Sequence, residues 1–208
     1  MVKKTWFVMV VALALCLAAG GCGGPSQEQK DAAVTAREDA DQAQETADQA
    51  QERADQVAAV ASSCQSQVKP FVRALANVDS RLGIGLNYAD YGQVVSDTKV
   101  VYDRVPFGQM KFACFNIAVP AESSMNHLID AFETWNACFE DLYCDVDSVE
   151  PEMQSDWAKA SSKLALARSR IADLQANVSD TQSEAETAAA EAEQKDEEAD
   201  QAEADLEG

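Results

Sequence analysis

The chain holds one histidine, His127, in 208 residues. Any catalytic arrangement that relies on an imidazole, Ser-His-Asp or Cys-His alike, therefore has a single place to be built. No C-x-x-C pair is present, which removes the common zinc frameworks. A glycine-rich loop followed by Lys-Ser or Lys-Thr, able to cradle a phosphate, is missing too, as is a G-x-S-x-G nucleophile turn. Bases are scarce: 16 Lys and Arg stand against 36 Asp and Glu, a formal net charge of −20. So acidic a chain is unsuited to nucleic acid, whose phosphates attract cations. The longest apolar stretch, Trp6 to Ala19, falls short of the roughly twenty residues that a spanning helix needs. The expectation is a protein that is not an enzyme, with no cofactor, no metal and no nucleic-acid partner.

What the chain does have is a repeating pattern of small and apolar residues. One track runs from Ala33 to Leu82 by alternating steps of three and four, through Ala47, Ala54, Ala61, Cys64, Val68, Phe71 and Leu75. A second runs from Trp157 to Leu206 in the same rhythm, through Leu164, Ala167, Ile171, Leu174, Ala185, Ala192 and Ala199. A period of 3.5 places each set along one stripe of a helix, the seam of a coiled coil. Both tracks cover the same length, and both are bulky toward the middle of the chain and alanine-rich at the far ends. An antiparallel return of the second helix on the first matches bulk to bulk. It sets Leu75 opposite Leu164 and Ala47 opposite Ala192, in a stalk of roughly 75 Å at 1.5 Å per residue. The fold class expected is all-α, a long antiparallel coiled-coil hairpin with a small disulfide-braced helical head.

The first residues read as an address. Lys3 and Lys4 precede the apolar stretch, and small residues follow in Ala18-Ala19-Gly20-Gly21-Cys22. These are the dimensions of an export signal. The run Ala19-Gly20-Gly21-Cys22 resembles the lipobox of bacterial lipoproteins. That resemblance implies cleavage after residue 21 and acylation of Cys22, palmitate-type chains included. Two or three acyl chains, at about 0.8 kcal/mol per buried methylene, would hold the protein on a membrane without a spanning helix. The location implied is extracytoplasmic: the outer face of the cell membrane, or the outer membrane of a Gram-negative cell.

In an oxidising compartment the remaining cysteines pair. Cys16 leaves with the signal, and Cys64, Cys114, Cys138 and Cys144 stay. Four cysteines allow three connectivities. The short interval between Cys138 and Cys144 favours a local loop there, which leaves Cys64 for Cys114, and the other two pairings stay open.

The domain plan is a signal at 1–21, the acylated Cys22 and a tether at 22–26, a first stalk helix at 27–82, a helical head at 83–156 and a second stalk helix at 157–208. Pro70 is expected to kink the first arm or to start a fresh helix, and Gly83-Ile84-Gly85 ends it. Within the head, helices are expected over Leu86–Val105, broken by Pro106-Phe107-Gly108, then briefly over Gln109–Ala118. After Pro120 comes the best-defined one, with Met125, Leu128, Ile129, Phe132, Trp135, Cys138, Phe139 and Leu142 on its apolar face. Asp145 to Glu152 supplies the cap and first turn of the returning helix; Asp145, Asp147 and Asp156 have the spacing of calcium-loop ligands, but that loop would lack its glycine and its final glutamate, so the capping role is the one expected. His127 is expected to be a surface or half-buried helix residue.

Two further resemblances bear on the architecture. Leu82-Gly83-Ile84-Gly85-Leu86-Asn87-Tyr88-Ala89-Asp90-Tyr91, with Val101-Tyr102-Asp103-Arg104-Val105 and Trp135-Asn136-Ala137-Cys138 together with Cys144-Asp145, resembles a segment of exported proteins of high-GC Gram-positive bacteria. It implies a recurring domain over roughly residues 80–160 and no chemistry. The alanine seam is similar to the zippers of small outer-membrane lipoproteins related to the murein lipoprotein, and that likeness implies a homo-oligomeric bundle as the alternative to a hairpin. Two functional readings follow. The first is an envelope lipoprotein that presents its head to a protein or cell-wall partner. The second is a ligand-binding or sensing lipoprotein with a pocket among Tyr88, Tyr91, Tyr102, Phe132 and Trp135.

Overall fold

The computed structural model describes residues 24–207. The expected export signal, Cys16 and the acyl-bearing Cys22 lie outside the described residues. Among those described there is no strand. The chain forms α1 (Gln27–Leu82), α2 (Tyr88–Tyr102), a single 3₁₀ turn (Phe107–Gln109), α3 (Phe112–Glu140) and α4 (Val146–Glu207). No helix among them is long and apolar enough to cross a membrane.

Helix α1 starts on a capping box. The Ser26 hydroxyl accepts from the Gln29 N–H at 3.2 Å, and the Gln29 amide oxygen accepts from the Ser26 N–H at 2.8 Å. Its 56 residues make a rod of about 84 Å. Helix α4, with 62 residues, returns antiparallel along it. Every position of both heptad tracks is buried or half-buried. Ala54 packs with Ala50 and Ala185, and Leu75 and Leu164 line one small gap, as the antiparallel register requires. Methyl contacts hide little area, so each alanine layer contributes about 1 kcal/mol or less. Polar contacts at the far end help to hold the register: Arg37 donates to Asp196, Asp200 and Glu203 at 2.8, 2.6 and 2.9 Å. These three acids stand on one face of α4 and meet one guanidinium. Individually such exposed pairs contribute little, because solvent screens them.

Toward the other end α2 and α3 join the pair and make a bundle around one apolar core, with Val68, Phe71, Leu75, Tyr91, Cys114, Ile117, Met125 and Leu164 almost without exposure. Two disulfides brace it. Cys64 is joined to Cys114, with Cα atoms 5.0 Å apart, and Cys138 to Cys144, with Cα atoms 5.2 Å apart. The first crosslinks α1 to the start of α3, and the second closes the turn between α3 and α4. Two glycines are required by their surroundings. Gly85 takes φ +102 in the turn between α1 and α2, and a Cβ on Gly92 would come within 2.8 Å of the Phe132 ring.

The elements depart from the sequence reading in four places. Pro70 neither ends α1 nor starts a fresh helix, and Pro120 lies inside α3, which runs unbroken from Phe112 instead of forming a short piece and then a longer one. A proline within a helix frees the carbonyl four residues before it. Those carbonyls belong to Ser66 and Asn116, both on exposed residues where water can serve them. Helix α2 is shorter than expected, because the Asn87 side chain caps it by accepting from the Asp90 N–H and Tyr102 ends it. The returning helix, by contrast, begins at Val146, directly after Asp145, where its cap and acidic first turn are expected, and Pro151 sits in its second turn. Finally, α3 stops at Glu140, which turns Leu142 and part of Phe139 outward: Leu142 is 95% exposed.

Candidate functional site

The end of the bundle furthest from Gln27 is formed by two turns, Gly83–Asn87 between α1 and α2 and Asp141–Asp145 between α3 and α4. They lie side by side, since the ring of Tyr88, first residue of α2, meets that of Phe139 near the end of α3 at 4.6 Å. Both turns expose large apolar side chains. Ile84 is 88% exposed and Tyr143 95%, with Leu142, half of Phe139 and part of Val146 beside them. Together they make an exposed apolar patch at one end of a small bundle, where single exposed apolar side chains would be the ordinary case. Their rim is acidic, with Glu140, Asp141, Asp145 and Asp147 all exposed. The loop that bears Leu142 and Tyr143 is held from within by the Cys138–Cys144 disulfide, by the Asp141 carboxylate accepting from the Tyr143 N–H at 2.9 Å, and by the Ser148 hydroxyl donating to the Asp145 carbonyl at 2.6 Å. A rigid loop loses little freedom when it docks.

Beneath the tip lies the aromatic cluster. Of the five residues expected to line a pocket, four come together: Tyr88, Tyr91, Phe132 and Trp135. Tyr88 stacks on Phe132 with ring centroids 5.6 Å apart and meets the edge of Trp135 at 5.6 Å, while Tyr91 is 5.9 Å from Trp135 and 5.6 Å from Trp157. These rings touch one another and so fill the space that a ligand would take. Tyr91 is a fully buried core residue whose hydroxyl donates to the Leu128 carbonyl at 2.7 Å. The Trp157 indole faces that hydroxyl without reaching hydrogen-bond geometry, and its N–H, like that of Trp135, has no acceptor. Tyr102 stands apart from the other four. At the far end of α2 it packs between Phe71 and Phe107, with the Lys99 ammonium over its ring and its hydroxyl donating to Glu122 at 2.5 Å. Sequence periodicity put these tyrosines on one helix but could not tell that α2 carries them to opposite ends of the bundle.

The Tyr102 phenol is pushed up to about 12, first by that hydrogen bond to Glu122, then by burial and the nearby carboxylates. The Tyr91 phenol is raised further, chiefly by burial. Because both values lie above the ordinary phenol value of about 10, their contribution to stability is complete below pH 10 and is lost as pH rises through the folded value. An alkaline titration followed by tyrosinate absorbance should therefore show two phenols ionising late. Tyr91→Phe and Tyr102→Phe should each remove one of them. Ionisation of all the tyrosines in a single step near pH 10, with the fold retained, would contradict these environments.

His127, on α3, is half-buried and near Asp156, which periodicity in a chain of many acids gave no reason to single out. Comparison with family models, with curated proteins and with solved structures yields no match to this chain, so what it does must be argued from its own residues.

Proposed function

We propose that this chain is a membrane-anchored envelope lipoprotein, held by acyl chains on Cys22, that acts as a structural or interaction module and presents its helical head at a distance from the membrane. The observation that carries the reading is the disposition of the two ends. Gln27, a few residues from Cys22, starts the long two-helix stalk, and the exposed apolar tip with Ile84, Leu142 and Tyr143 stands at the other end. The whole length of α1, about 84 Å, separates them. Its surface is acidic, as expected of a solvated spacer, and its alanine seam is closed by its own second arm. A tip that is apolar within an acidic rim suits a protein partner offering an apolar depression edged by lysine or arginine.

The test is made in a bacterium with lipoprotein processing. Fatty-acid labelling should mark the wild-type chain, and Cys22→Ala should abolish the mark and move the protein out of the membrane fraction. A photo-crosslinking amino acid placed at Leu142 should give discrete crosslinked species that the same group at Ser169, on the exposed side of the stalk, does not give. Labelling that survives Cys22→Ala would remove the anchor from the reading. Identical crosslinking from Leu142 and Ser169 would remove the tip.

A further inference from the structure

We propose that His127, Asp130 and Asp156 form a binding site for one divalent transition-metal ion, with zinc the ion whose coordination suits it best. The side chains converge from two helices. His127 and Asp130 lie one turn apart on α3, Asp156 comes from α4, and their candidate ligand atoms all fall within 4.8 Å of one another. The His127 Nδ1 is 3.7 Å from the Asp130 Oδ2 and 3.6 Å from the Asp156 Oδ1. Both separations exceed the about 3.2 Å reach of an N–H···O hydrogen bond, and Nδ1 is buried without a partner. Yet they come close to the edge of a tetrahedron with arms of about 2.0–2.1 Å, which is about 3.4 Å. The three groups fail to satisfy one another directly, and an ion between them would satisfy all three after small side-chain rotations.

Charge points the same way. Asp156 is the one buried charged residue among those described, its side chain only 10% exposed, and the Asp130 carboxylate stands near it. The present counter-charge is Lys159, whose Nζ lies 2.8 Å from the Asp156 Oδ1. That lysine is 53% exposed and can swing into water. One imidazole nitrogen with two carboxylate oxygens is a donor set for zinc and its neighbours, whereas magnesium and calcium prefer oxygen alone. A fourth position is left for water. Nδ1 binds the ion through its lone pair, so the ring proton sits on Nε2. The bound ion ties α3 to α4 below the tip, where it stiffens the head independently of any membrane anchor or partner.

The full-length chain, with both disulfides intact and stripped of metal, is titrated with zinc chloride by calorimetry at neutral pH, with cobalt(II) as an absorption probe. One ion per chain, tetrahedral cobalt bands and a raised unfolding midpoint are expected. Asp130→Asn removes a ligand from a side chain that is 57% exposed and so leaves the core intact. It and His127→Gln should each weaken binding by about 10-fold or more. Lys159→Met, which removes the competing cation, should tighten it. Should His127→Gln fold poorly, Asp130→Asn and Lys159→Met decide the matter by themselves. No zinc uptake would mean that the three side chains hold no ion, and several weak equivalents indifferent to all three substitutions would mean that the acidic arms alone take up the metal. Either result overturns the proposal.

Discussion

Replacing Cys64 and Cys114 together by alanine is expected to lower the stability of the head by about 4 kcal/mol. The bridge closes a loop with a sequence separation of 50, and the chain entropy released on removing such a loop is of that order. Replacing Cys138 and Cys144 should cost only about half as much, since their separation is 6. Both Cys64 and Cys114 are fully buried, so the lost sulfur contacts add to the larger effect. Urea unfolding followed by circular dichroism, with near-ultraviolet signals reporting the aromatic cluster, measures the two losses separately. Equal losses, or a loss below about 1 kcal/mol for the Cys64–Cys114 pair, would show that the bridge decorates a bundle already held by its core.

Phe71→Ala should be as damaging, at about 3–5 kcal/mol, because the ring is fully buried and packs on Tyr102 with centroids 5.3 Å apart. Ala54→Gly, in the alanine seam of the stalk, should cost about 1 kcal/mol, mostly from helix propensity, as there is only a methyl to lose. The contrast tests where the stabilising contacts lie. If they are concentrated in the bundle, the stalk arms fray first on heating, and Phe71→Ala lowers the main transition while Ala54→Gly alters only the early helical loss. A main transition shifted as much by Ala54→Gly as by Phe71→Ala would instead make stalk and head one cooperative unit held by the seam.

Much of this architecture was legible because heptad spacing is a local property. The positions from Ala33 to Leu82 and from Trp157 to Leu206 are related by helix geometry alone, and all of them are buried or half-buried. The interval between Cys138 and Cys144 likewise suggested the pairing that occurs, with Cys64 left for Cys114. The head was harder. Pro120 reads as a boundary, yet α3 passes through it, because whether a freed carbonyl can reach water depends on what packs beside it. Leu142 fits the apolar stripe of α3 by spacing, but the helix stops at Glu140 and leaves it exposed. Tyr102 fits a pocket with Tyr88 and Tyr91 by residue type, but α2 carries it away to Phe71 and Phe107.

The sequence by itself determined an all-α hairpin, its antiparallel match of bulk to bulk and the absence of familiar catalytic motifs, since each of these follows from residue type at fixed spacing along one or two helices. Only the tertiary structure decided which side chains from distant segments meet. It set the two turns of the tip side by side, turned Ile84, Leu142 and Tyr143 outward, and brought the His127 nitrogen to 3.6 Å from the Asp156 carboxylate. The physical reason is that such meetings depend on where each helix stops and how it rotates against its neighbours. Those are settled by the summed packing of the core around Phe71, Leu75, Tyr91 and Leu164, not by any one stretch of chain.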